Sequence, residues 1–224
     1  MLKKNGFPVY PRGFTLIEIL IAIGIIAILM TTTLVLINPT ELLRQARDSR
    51  RIADLASLQN ALSFYRYVKP GGALGAADTC YVGLGPSIDS WCTAAADGSR
   101  GTSGSCHDWF PSTPAGGNLS ISVSSTAIDG TGWVPVNFAS ILGGSPISQE
   151  PLDPVNTAGD STCQSPTSSA QHALFYSYAT DGDKFKLAAP MESARYSIGG
   201  ERDIESADGG VNPYFYETGT NIQL

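Results

Sequence analysis

Charge is scarce in this chain of 224 residues: Asp, Glu, Lys and Arg make up 15% of it, and histidine occurs twice, as His107 and His172. So small a charged fraction excludes a highly charged disordered chain, while 24 glycines and 14 prolines exclude a soluble helical bundle. A basic excess is also missing. The formal net charge of −6 argues against a dedicated nucleic-acid binder, which needs a concentrated basic face. There is no P-loop, no G-x-S-x-G, no H-E-x-x-H and no dinucleotide fingerprint. The many serines sit in Gly/Thr-rich stretches, where they reflect composition. No pattern marks an enzyme. Cysteine is absent from the first 79 residues; all four, Cys80, Cys92, Cys106 and Cys163, come later.

What is present is unevenly placed. Residues 1–13 carry a charge of +3, residues 14–69 carry +2, and residues 70–224 carry −11. From Phe14 to Ile37 the chain is apolar except for one charge, Glu18. A helix of that length reaches about 36 Å, enough to span a hydrocarbon core with some tilt. A removed secretory signal would have a shorter apolar stretch ending in a small-x-small site, and no such site follows. Lys3, Lys4 and Arg12 precede the run and four arginines follow it closely, so flanking charge leaves its orientation open.

Glu18 is the informative residue of the run, because a carboxylate in an apolar span is costly and calls for a partner or a function. A position near the end of the run also lets it reach the headgroups without any function. Its context is Arg12-Gly13-Phe14-Thr15-Leu16-Ile17-Glu18. This segment resembles the signal of type IV prepilins and of type II secretion pseudopilins. The resemblance implies cleavage by a prepilin peptidase between Gly13 and Phe14 and N-methylation of Phe14. It implies a leader, residues 1–13, that stays in the cytoplasm, and subunit assembly through Phe14 and Glu18. Glycine suits the cleavage position, since an extended backbone without Cβ enters a protease cleft freely. In an assembled filament, the Glu18 carboxylate of one subunit pairs with the new Phe14 ammonium of a neighbour; each charge is expensive alone and cheaper as a pair.

Asn38-Pro39-Thr40-Glu41 reads as a helix start with Asn38 as N-cap, and the proline predicts a kink or break there. Beyond it, Leu43, Ala46, Ile52, Leu55, Leu58, Leu62 and Tyr65 follow helical spacing. The pattern predicts an amphipathic stalk over 38–69, with Arg44, Arg47, Asp48, Arg50 and Arg51 facing outward. Three readings remain for the arginines: a solvated face, a contact to anionic headgroups, or a contact to the acidic head of an adjacent subunit. Lys69-Pro70-Gly71-Gly72 stops the helix.

Residues 70–224 are rich in Gly, Ser, Thr, Pro and Ala. Residues 94–105 read as an irregular loop. Strand-like runs are Leu119–Val123, Trp133–Phe138, Ala173–Tyr178 and Lys184–Ala188. The last two flank Thr180-Asp181-Gly182-Asp183 and predict an antiparallel hairpin. The expected fold class is α+β: a long N-terminal helix, one half spanning the membrane and one half amphipathic, packed on a small antiparallel β-sheet. The resemblance to pilins implies the same architecture. The even cysteine count in an exported head favours two disulfides, with Cys80–Cys92 and Cys106–Cys163 nearest in sequence. Zinc competes through His107 beside Cys106, without the paired C-x-x-C spacing. Asp181, Asp183, Asp203 and Asp208 are candidate calcium ligands on loops, against the plainer reading of solvated turn acids. Asp153-Pro154 is similar to a feature of calcium-binding pseudopilins. No other cofactor is implied. Asn118-Leu119-Ser120 fits a glycosylation sequon.

The resemblance implies a filament subunit whose partners are the prepilin peptidase, copies of itself and other pilins, the pilus assembly machinery, and the membrane before assembly; nucleic acid is not among them. Localisation follows: a single-pass inner (cytoplasmic) membrane protein with a cytoplasmic N-terminus, then an extracellular or periplasmic filament. A secretion pseudopilin is the nearest alternative, and a monomeric membrane-tethered ligand-binding head is the alternative of another class. A DNA-capturing minor pilin is disfavoured by the head charge of −11.

Overall fold

A computed structural model describes residues 13–77, 79–84, 118–123, 125–156 and 174–224. The leader up to Arg12, the loop at 94–105, Cys92, Cys106, Cys163, His107 and His172 lie outside the described residues. The chain falls into two compact units, residues 1–42 and residues 43–224.

The first unit is dominated by α1, Leu16–Ile37. Its Leu16–Thr33 stretch is long and apolar enough to cross a membrane, and none of it is buried within the protein. The helix ends at Asn38, whose φ of 45° and ψ of 78° are left-handed, a conformation asparagine tolerates better than most residues. The expected break is therefore present. The backbone carbonyl of Asn38 accepts from the amides of Glu41 and Leu42, starting the next helix. Its side chain accepts the Thr40 hydroxyl at 2.6 Å.

The second helix, α2, spans Pro39–Val68. Within the second unit its Leu55, Leu58, Ala61, Leu62 and Tyr65 enter the main core with Trp133, Phe138, Tyr176, Tyr178 and Phe185. Leu43 and Ala46, expected on the buried stripe, are exposed. The packed face of α2 therefore begins further along the helix than the spacing predicted.

The sheet has the order β2-β1-β3-β4-β5, with β1 at Thr79–Leu84, β2 at Asn118–Val123, β3 at Tyr176–Thr180, β4 at Phe185–Ala189 and β5 at Tyr216–Gly219. Four strands, β1, β3, β4 and β5, form an antiparallel sheet, and β2 adds parallel to β1. The arrangement is α+β and pilin-like. The β3–β4 hairpin occurs where the sequence predicted it, pairing Thr180 with Phe185 around a Gly182 whose φ is 95°. Lys186 of β4 and Glu217 of β5 are both buried and pair at 2.8 Å, tying the edge strand to its neighbour.

Trp133–Phe138 is not a strand. Its apolar residues are buried, but Pro135 interrupts the run and local bonds replace a ladder. The Val136 amide donates to the Val134 carbonyl at 2.7 Å, and that of Phe138 to Val136 at 3.0 Å. The Val134 amide is taken by the Glu150 carboxylate at 2.9 Å. Every such buried amide needs a partner, and here side chains and tight turns provide it.

Candidate functional site

At the start of α1, Gly13, Phe14 and Thr15 are non-helical, and Thr15 is the N-cap with an extended backbone (φ −78°, ψ 151°). Glu18 reaches back to it. The Glu18 Oε2 accepts from the Thr15 amide and the Thr15 hydroxyl, both at 2.9 Å, while the Glu18 amide donates to the Thr15 hydroxyl at 3.2 Å. This reciprocal capping box satisfies two otherwise orphaned donors. The Thr15-x-x-Glu18 spacing is itself the sequence signature of such a cap, and the structure adds Thr15 to the residues of the site. Phe14 is 83% exposed, and a side chain built on Gly13 would meet nothing within 4 Å. The junction between them is open on every side that the described residues define.

Further along α1, the hydroxyls of Thr31, Thr32 and Thr33 each donate at 2.8 Å to the carbonyl four residues back. Three polar residues inside an apolar helix thus spend their donors internally, which removes most of the cost of placing them in hydrocarbon.

Residues 10–34 match the family model of the prokaryotic N-terminal methylation motif. They are a prepilin signal, of the kind carried by type IV pilins and pseudopilins. No curated protein and no solved structure matches the chain. The match contains Gly13, Phe14, Thr15 and Glu18, so the open junction and the capping box lie inside the prepilin signal itself.

Beyond the prepilin signal, the structure corrects the reading of the stalk charges. Asp48 and Arg51 do not face outward: both are fully buried. The Arg51 guanidinium grips Asp153 through Nε at 2.6 Å and Nη2 at 2.9 Å, reaches Asp48 through Nη1 at 2.8 Å, and stands 3.4 Å from Glu192. Asp48 in turn accepts the amides of Glu192 and Ser193 at 2.9 and 2.8 Å, and Arg47 donates to Glu192 at 2.6 Å. Burial works against the Arg51 charge, but the Asp153 and Glu192 carboxylates outweigh it and hold the guanidinium protonated above its ordinary range. The helix is therefore fastened to two loops by a planar fork that matches carboxylate geometry. Asp153, which beside Pro154 suggested calcium, is an Arg51 partner. Arg50 remains on the surface, 3.6 Å from Asp54.

The four candidate calcium ligands do not converge: Asp181 and Asp183 share the β3–β4 turn, while Asp203 and Asp208 lie in the loop before β5. Asp181 accepts the amides of Asp183 and Lys184 at 2.9 and 2.6 Å, and Asp183 pairs with Arg66. Asp203 accepts from the Gly199 amide and from the amide and hydroxyl of Ser206. Asp208 accepts the amides of Gly210 and Glu217. Among the described residues no three metal-ligating side chains form a group. Cys80, in β1, is disulfide-bonded, and the pairing lies outside the described residues.

Two further carboxyls carry no signal in the sequence. Glu205 is buried and accepts the amides of Met191 and Ile198 at 2.7 and 3.0 Å, and Glu150 is buried beneath Val134. Burial pushes each up to about 8 from an ordinary 4.5. Between those two values the folded protein keeps protons at Glu150 and Glu205 that the unfolded chain has released. The contribution to stability is thus greatest below about pH 4.5 and is lost as pH rises towards 8. The melting temperature of the detergent-solubilised full chain, followed by tryptophan fluorescence, should fall by roughly 10 °C between pH 5 and pH 8. In a Glu150→Gln/Glu205→Gln double variant that slope should largely vanish; an unchanged slope would show that other groups set it.

Proposed function

We propose that this chain is the precursor of a structural subunit of a type IV pilus-like filament. The carrying observation is a prepilin signal whose cleavage junction is open and whose glutamate sits one helical turn into an unburied apolar helix. A prepilin peptidase removes residues 1–13 on the cytoplasmic side and methylates Phe14. The shortened chain waits in the inner membrane, anchored by α1, with the head outside the cytoplasm. Assembly withdraws α1 from lipid into a bundle of like helices, where Glu18 meets the Phe14 ammonium of a neighbouring subunit. Nothing in this role needs a catalytic group in the head. A pseudopilin of a secretion machine shares every one of these steps and differs in what the filament moves.

N-terminal mass spectrometry of membrane and surface fractions tests the reading. Cells that express a prepilin peptidase should yield a chain beginning with N-methyl-Phe14. Recovery of the intact leader after co-expression with the peptidase would refute the proposal in favour of a tethered, unprocessed head.

A further inference from the structure

Lys186 and Glu217 stand on neighbouring strands, β4 and β5, and neither side chain has any exposed surface. Lys186 is paired with Gly219 and Glu217 with Ala188, so the two are diagonal neighbours on one face of the ladder. The Lys186 Nζ lies 2.8 Å from the Glu217 Oε1, yet Oε1 makes no hydrogen bond. The other carboxylate oxygen, Oε2, accepts the Asn212 amide at 3.1 Å, and a Cβ on Gly210 would collide with it. Nζ itself donates to the main-chain oxygen of Leu224. Both reacting groups are therefore held in place by the backbone around them.

Taking two charges out of water is costly, and a buried pair without hydrogen-bond geometry recovers only part of that cost. Burial is the largest influence on each group. It draws Lys186 below the ordinary lysine range and pushes Glu217 above the ordinary glutamate range, and their mutual attraction cancels neither shift. Asp208, which accepts the Glu217 amide, raises both groups. The site thus favours the neutral forms more than water does: a free amine, which is a nucleophile, against an uncharged carboxyl, which is an electrophile.

We propose that Lys186 and Glu217 condense into an intramolecular isopeptide bond that cross-links β4 to β5. The Nζ lone pair forms a bond to Cδ of Glu217. The Cδ–Oε1 bond breaks, and Oε1 departs as water with the carboxyl proton and one proton from Nζ. No electrons are gained or lost, so the step needs no co-reactant.

The two oxygens of Glu217 are already sorted for these roles. Oε2 remains as the amide carbonyl, and the Asn212 amide that holds it stabilises the negative charge that builds there during attack. Oε1, which has no hydrogen bond to lose, is the leaving oxygen. A contact of 2.8 Å to Oε1 puts Nζ within about 4 Å of Cδ. Holding the groups in contact makes amide formation intramolecular, and their burial keeps bulk water from reversing it. The link closes residues 186–217 into a ring, which restricts the unfolded chain as a disulfide does.

Mass spectrometry of the full chain tests this. After reduction and unfolding, the chain should be lighter than its sequence requires by one water. A tryptic digest should contain a branched peptide in which residues 185–195 are joined to residues 203–224, with no cleavage after Lys186. Lys186→Arg keeps the positive charge but not the amine, and should restore the full mass. Lys184→Arg, at an exposed neighbour, should keep the loss. A succinimide at Asp181-Gly182 or Asp208-Gly209 loses the same mass but leaves Lys186 open to trypsin. Full mass in the wild type, a loss that survives Lys186→Arg, or a loss confined to an Asp-Gly step would overturn the proposal and leave the two residues as an ion pair only.

Discussion

A chain carrying Glu18→Ala should be cut between Gly13 and Phe14 as the wild type is, and should still fail to appear in filaments. The junction is exposed and non-helical, and Glu18 is connected to it only through the Thr15 cap. Removing the carboxylate costs the helix its capping box, about 1 kcal/mol, which a helix of 22 residues tolerates. Assembly loses far more. Each subunit would bring a Phe14 ammonium into an apolar bundle with no counter-charge, and an uncompensated buried charge costs several kcal/mol per contact. The filament fraction sheared from cells should therefore fall by at least about tenfold, while mass spectrometry of the membrane fraction still finds Phe14 at the N-terminus. Filaments at wild-type level would rule out Glu18 as the assembly charge. An uncut chain would place its role in processing instead.

In the head, the largest effect is expected at Arg51. Arg51→Met keeps most of the side-chain volume and removes the fork that holds Asp48, Asp153 and Glu192 together. Breaking a buried ion cluster from one side leaves its carboxylates uncompensated, at about 3–5 kcal/mol. That corresponds to a fall in melting temperature of roughly 10 °C for a unit of this size. Arg50→Ala, one residue earlier but with its side chain 65% exposed, should change stability by no more than about 0.5 kcal/mol. Thermal unfolding of the two variants, side by side in the same detergent, checks both. Equal effects would mean that the buried cluster adds little that a surface pair does not.

The contrast between these neighbours shows what the sequence could reveal. The N-terminal segment was legible because its meaning is local: seven consecutive residues carry the signal, and an apolar run of this length suits little besides a bilayer or a helix bundle. The β3–β4 hairpin was legible for the same reason, its turn chemistry being contiguous. The stalk arginines were not. Helical spacing alone gives Arg50 and Arg51 the same solvent-facing character, and what separates them lies 102 residues away at Asp153. Likewise, Trp133–Phe138 reads as a strand-like run, but its amides go to Ser125, to Glu150 and to its own turns, which no pattern within the segment records. The candidate calcium acids illustrate the reverse: turn residues grouped by composition are each engaged already, Asp181, Asp203 and Asp208 by amides and Asp183 by Arg66.

The Arg51 cluster also bears on the order in which the head takes shape. Its bonds join α2 to residues 102 and 145 positions further along the chain, so they cannot close until most of the head has been made and its long connections have come together. The helix can form early from its own local contacts, but its Arg51 guanidinium then stays hydrated and exposed until the end. Closure of distant loops, which is slow, and not helix formation, which is fast, sets when the head becomes compact. The newly made chain accordingly passes through an interval with α2 formed and its latch still open.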